Sequence, residues 1–213
     1  ETNSPKYSLA GKVVGGYLAN AKVCLDTNKN LTCDDDEIQA LSNDDADYVL
    51  ETSTVPTDFT LLAEAVPEVT ADRDLGIVTK AYTLMAPAEL KNGVGKNNIT
   101  VFTTLLSTLL NDDPSLLNSE ETTERLQTAL KISSGIVEPI GSDFINDGSD
   151  ETQTIAASFV SLLKEIQQPL IAGSNDALSS IKLNNANGAT RSAILSAFDL
   201  AAKINVFNSI AKE

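Results

Sequence analysis

The chain contains no histidine, no tryptophan, a single methionine (Met85) and only two cysteines, Cys24 and Cys33. Without histidine it lacks the commonest general base at neutral pH and the commonest protein ligand of zinc, copper and haem iron. Without tryptophan, and with only four tyrosines and six phenylalanines, it has little aromatic surface on which to stack sugar rings. Basic residues are also few: 15 Lys and Arg stand against 30 Asp and Glu, a net charge of −15. No basic patch exists to neutralise phosphate, which argues against nucleic acid and anionic membrane as partners and favours divalent cations. No apolar run approaches the roughly 20 residues that a membrane-spanning helix needs. A Gly-x-Ser-x-Gly elbow, a phosphate loop and a dinucleotide fingerprint are all missing, so nothing points to an enzyme.

What remains is an ordinary globular composition, 42% hydrophobic over 213 residues, enough for one large domain or two small ones. Both cysteines lie in the densest acidic stretch, Cys24-Leu-Asp-Thr-Asn-Lys-Asn-Leu-Thr-Cys-Asp-Asp-Asp-Glu37. Counted from Asp26, oxygen-bearing side chains fall at positions 1, 3, 5, 7, 9 and 12: Asp26, Asn28, Asn30, Thr32, Asp34 and Glu37. That is the ligand spacing of a calcium loop of the EF-hand kind, because a hard cation needs six to eight oxygens spread around it. Thr32 would serve through its main-chain carbonyl and Glu37 through both carboxylate oxygens. Leu31 stands where the turn usually has glycine, Cys33 where an aliphatic residue is usual, and a strand leads in where a helix is usual. The competing reading is a solvated acidic turn, in which Asp34, Asp35, Asp36 and Glu37 repel one another with no counter-charge beside them. Cysteines separated by eight residues could be a buried pair of thiols; with acid and asparagine between, an exposed disulfide is the better reading, and it points to an oxidising compartment. Such a bridge stabilises by about 2.5–3 kcal/mol on the chain-entropy estimate.

Periodicity divides the chain. Val13-Val14, Ala21–Asp26, Ile38–Leu41, Tyr48–Leu50, Phe59–Val66 and Ala81–Met85 read as strands. In Ala21–Asp26 the alternation sets Ala21, Val23 and Leu25 on one face and Lys22, Cys24 and Asp26 on the solvent face. Gly15-Gly16 reads as a bulge or turn, and Asn43–Asp47 and Asp72-Arg73-Asp74 with Gly76 read as turns, the last with a local ion pair. From Ile99 the period becomes helical, with Val101, Phe102, Leu105, Leu106, Leu109 and Leu110 on one stripe. Asn111–Pro114 stops that helix. Further helices are expected from Ser119 to about Ile132, from Ser149 or Asp150 to Pro169, from Asp176 to Leu183, and from Thr190 to the C-terminus. The fold class expected is therefore α+β: a β-sandwich-like module over residues 1–92 and a helical bundle over 98–213.

Val14 to Glu37, with its Gly-Tyr-Leu, its Ala-x-Val-Cys-Leu-Asp and its Asp-x-Asn-x-Asn-x-x-x-Asp-x-x-Glu, resembles the opening of a group of exported bacterial surface proteins and lipoproteins. Their first module is similar to the carboxypeptidase-regulatory and serine-aspartate-repeat B-type sandwiches. The resemblance implies that the loop holds Ca²⁺ and that Cys24 pairs with Cys33. Asn43–Tyr48 matches a turn of such modules, with Asp47 in place of glycine. Asn98-Ile-Thr-Val-Phe-Thr-Thr-Leu-Leu106 matches the opening of their helical part, with Val101 in place of proline. A leader removed before Glu1, and a lipid-modified cysteine just upstream, would fit.

Two further groups could carry chemistry. Asp143, Asp147, Asp150 and Glu151 could hold a second cation, though acid at a helix start is the simpler account. Thr103, Thr104, Ser107 and Thr108 form a hydroxyl-rich helix face, expected to be a polar surface or a helix–helix contact. The expectation is a non-enzymatic cell-surface protein with a structural calcium site, binding other surface proteins or copies of itself. The alternatives are a self-assembling subunit of a filament or surface layer, and a secreted carbohydrate-binding module or enzyme.

Overall fold

The computed structural model describes residues 7–54, 56–87, 97–112 and 141–172. Strands come first and helices last, an α+β order. The strands are β1 (Tyr7–Val14), β2 (Leu18–Ala19), β3 (Lys22–Asp26), β4 (Gln39–Leu41), β5 (Asp47–Thr52), β6 (Thr60–Ala65), β7 (Ala71–Asp72), β8 (Gly76–Ile77), β9 (Tyr82–Pro87) and β10 (Ile99–Thr100). The helices are α1 (Val101–Asp112), α2 (Phe144–Asp147) and α3 (Asp150–Ala172). The helices expected from Ser119, Asp176 and Thr190 lie outside the described residues.

Among the described residues these strands form three small sheets. β1 pairs antiparallel with β5, from Tyr7↔Thr52 to Lys12↔Asp47, and its last two residues pair parallel with β10. β4, β3, β6 and β9 form an antiparallel sheet in that order, and β2, β7 and β8 form the third. In β5 the alternation is the ordinary one: Tyr48 and Leu50 are buried, Val49 and Glu51 exposed. Two close approaches require glycine. A Cβ on Gly11 would strike the Asn97 carbonyl, and one on Gly16 would strike the Asp72 carboxylate.

The helical period starts two residues later than the sequence suggests. Ile99 and Thr100 extend as a strand beside β1 because Thr100 is the N-cap: its Oγ1 accepts from the Phe102 and Thr103 N–H groups at 3.1 and 3.0 Å. The Thr100 N–H in turn donates to Thr103 Oγ1 at 2.8 Å, a reciprocal cap. α3 is capped by Ser149, whose Oγ accepts from Thr152 N–H, and it continues to Ala172, past Pro169.

The hydroxyl-rich face of α1 is not a polar surface over Thr103, Thr104 and Ser107, and its first two threonines serve a strand; the Thr108 side chain lies outside the described residues. Thr103, Thr104 and Ser107 are buried, and α1 lies along β9, an edge of the four-stranded sheet. Thr103 Oγ1 donates to the Met85 carbonyl at 2.6 Å, and Met85 N–H donates to Thr104 Oγ1 at 2.9 Å. Edge-strand groups that would otherwise need water or another strand are satisfied by a helix's side chains.

One continuous core joins strands and helices. Phe102 of α1 sits edge-on to Phe144 of α2 and Phe159 of α3, with ring centroids 5.4 and 6.1 Å away. Tyr17 reaches from the β1–β2 turn to donate to both oxygens of Asp143, at 2.8 and 2.7 Å, beneath the Arg73 guanidinium 4.0 Å from its ring.

Candidate metal centre

The acidic turn grows out of β3, and its placement follows from that strand. Lys22, Cys24 and Asp26 share one face, as alternation requires, but that face is not open to solvent. Cys24, Cys33 and Asp26 are all buried, so the disulfide is an internal one. The turn that β3 feeds folds back over the face and is fastened there by Cys24–Cys33, with Cα atoms 5.6 Å apart.

Asp26 begins the turn. Its Oδ1 accepts from Asn30 N–H at 3.2 Å and its Oδ2 from Leu31 N–H at 2.9 Å. Asn28 Oδ1 accepts from Asn30 N–H at 2.9 Å, and Asn30 Oδ1 from Thr32 N–H at 2.8 Å. These bonds curl the chain so tightly that Lys29 and Leu31 adopt left-handed backbone, with φ of 58° and 64°. Leu31 thus takes the conformation that glycine usually supplies at that position. A branched residue there costs about 1–2 kcal/mol, offset by packing of Leu31 against the core.

Three of the other expected ligands meet through their side chains. Asn28 Nδ2 and Asn30 Nδ2 both donate to Asp34 Oδ2 at 2.7 Å. Glu37 closes the turn: Oε1 accepts from Thr27 N–H at 2.7 Å and Oε2 from Asp34 N–H at 3.2 Å. Asp35 and Asp36 point into solvent. Burial chiefly, and then the Glu37 charge, holds the Asp26 carboxyl above its ordinary value, against the pull of the backbone N–H groups on it.

Asp26, Asn28, Asn30, Asp34 and Glu37 are therefore brought into one hydrogen-bonded turn that also contains Thr32. Among the described residues, no group of three or more His, Cys, Asp or Glu side chains is gathered as a metal-holding cluster on its own. The turn mixes carboxylates with amide and hydroxyl oxygens, a donor set that in kind suits a hard cation and not zinc or copper.

Charged side chains also tie the turn to its surroundings. Lys22 Nζ donates to the Cys33 carbonyl at 2.6 Å, and Lys29 pairs with Asp58 at 2.7 Å. Glu64, on β6, accepts from Cys33 N–H at 2.8 Å. Neither Glu64 nor Lys22 stands out in the sequence; strand register alone sets them opposite each other.

Elsewhere, Asp143 caps α2 and holds Tyr17, while Asp147, Asp150 and Glu151 are exposed around the starts of α2 and α3. The Asp72–Gly76 turn joins β7 to β8, with Arg73 and Asp74 3.8 Å apart and both exposed. No helix among the described residues is long and apolar enough to cross a membrane. Set against known proteins, the chain matches no family model, no curated protein and no solved structure.

Proposed function

We propose that this is a non-enzymatic, exported bacterial surface protein in which the Asp26–Glu37 turn is a structural calcium site. Asp26, Asn28, Asn30, Asp34 and Glu37 hold the ion through side-chain oxygens and Thr32 through its carbonyl. Calcium supplies two positive charges to a turn that carries three ligand carboxylates. The observation that carries the reading is the gathering of these residues into one hydrogen-bonded turn fastened to the sheet by a buried disulfide. The disulfide also supports export, since such bonds persist in oxidising compartments. In this reading the strands form a sandwich-like module, the helical half completes a bundle, and the protein engages other surface macromolecules.

A second reading, a self-assembling subunit, is favoured by apolar side chains left in water: Leu41, Leu75 and Ile77 are 61%, 74% and 56% exposed, the last two beside or on β8, an edge strand.

The test is thermal unfolding with excess EDTA and with Ca²⁺ about 100-fold above its Kd. Binding at that level stabilises by roughly 2.7 kcal/mol, or roughly 5–10 °C for a domain of this size. Identical melts at millimolar Ca²⁺ overturn the calcium site. Sedimentation of the same samples separates a monomeric binder from a subunit that assembles.

A further inference from the structure

Cys33 contributes more than its sulfur. Its N–H is held by Glu64 Oε1 and its carbonyl by Lys22 Nζ, and these two residues are direct cross-strand partners on β6 and β3. One pair of opposite charges thus grips both polar atoms of a single residue. The two atoms belong to successive peptide planes. The plane containing the Cys33 N–H also contains the Thr32 carbonyl, which in a trans peptide points the opposite way. The plane containing the Cys33 carbonyl also contains the Asp34 N–H, which donates to Glu37 Oε2 at 3.2 Å.

A disulfide fixes where Cys33 sits but leaves its peptide planes free to turn. Hydrogen bonds to charged groups are the stronger kind, and two of them on adjacent planes remove that freedom. We infer that Lys22 and Glu64 are positioning residues of the acidic turn: Glu64 aims the Thr32 carbonyl, and Lys22 aims the Asp34 N–H that orients Glu37. The inference rests on the calcium reading for its consequence, since both aimed groups belong to or orient the proposed ligands. The clamp itself is independent of any ion.

The test compares Glu64→Ala and Glu64→Gln with the wild-type protein by calcium calorimetry, and by hydrogen exchange at the Cys33 amide in EDTA. Gln keeps the acceptor and the shape while removing the charge. Loss of a supporting partner of this kind weakens metal binding about tenfold or more. Glu64→Ala should show that loss and rapid Cys33 exchange, and Glu64→Gln should restore most of both. Should Glu64→Ala fail to fold, Glu64→Gln decides by its own protection and affinity. Wild-type behaviour in Glu64→Ala, or Gln as weak as Ala, overturns the positioning role. If the wild-type protein binds no Ca²⁺, the functional reading falls alone, and Cys33 exchange in Glu64→Ala judges the clamp.

Discussion

The four-stranded sheet is covered in two different ways. Over β3 lies the Asp26–Glu37 turn, almost wholly polar, held by one disulfide and by N–H groups donated to Asp26, Asp34 and Glu37. Along β9 lies α1, which satisfies the strand edge with threonine hydroxyls and then buries Phe102 against Phe144 and Phe159. The first cover depends on direction: each bond is worth about 1 kcal/mol net and fails if its partner turns away. The second depends on area, at roughly 25 cal/mol per Å² of apolar surface, and tolerates small rotations. A polar cover can therefore be remodelled by an ion without unfolding the sheet, whereas an aromatic cover cannot be altered without loss of the core.

That contrast can be broken by mutation. Phe102→Ala should give the largest loss, about 3–5 kcal/mol in urea unfolding, because it empties the meeting point of three rings. A loss under about 1 kcal/mol would mean that the helices are not part of the strand core. Replacing Cys24 and Cys33 together by alanine should cost about 2.5–3 kcal/mol, the loop-closure value. Far-UV circular dichroism should stay unchanged, since the clamp and the turn's own hydrogen bonds remain; collapse of the β spectrum would show that the polar cover depends on sulfur alone.

The smallest effect is expected away from both covers, at Tyr17, which joins the β1–β2 turn to the start of α2. Tyr17→Phe removes a hydroxyl donor to Asp143 and should cost about 1–2 kcal/mol. Burial first, and then the Asp143 carboxylate, raises the Tyr17 pKa well above its ordinary value. A phenol raised in the folded state contributes stability that is complete below the unfolded value of about 10 and is lost as pH rises through the folded value. Above about pH 10, then, wild-type stability should fall more steeply than that of Tyr17→Phe. Parallel curves would show that the hydroxyl does not hold Asp143.

Much of this was legible residue by residue. Alternation marked the principal strands, Asn43–Asp47 and Asp72–Gly76 announced their turns, and the spacing of Asp26 through Glu37 singled out one acidic turn. The misreadings share a cause. Lys22, Cys24 and Asp26 do share a face, but alternation does not say what lies over it, and the turn itself does. Thr103 and Thr104 do lie on one helix face, yet hydroxyls serve water and a strand edge equally well, and only packing chose β9. Glu64 lies far along the chain from the turn and carries no local signal.

Composition and spacing by themselves determined the order of strands and helices, the position of the two cysteines, and the crowding of oxygens between them, because these depend on short-range backbone preference and charge. Tertiary structure decided which faces were covered, that the disulfide would be internal, and that Lys22 and Glu64 would meet over Cys33. Those outcomes depend on strand register and on the return path of the chain, which bring together residues that local periodicity treats as unrelated.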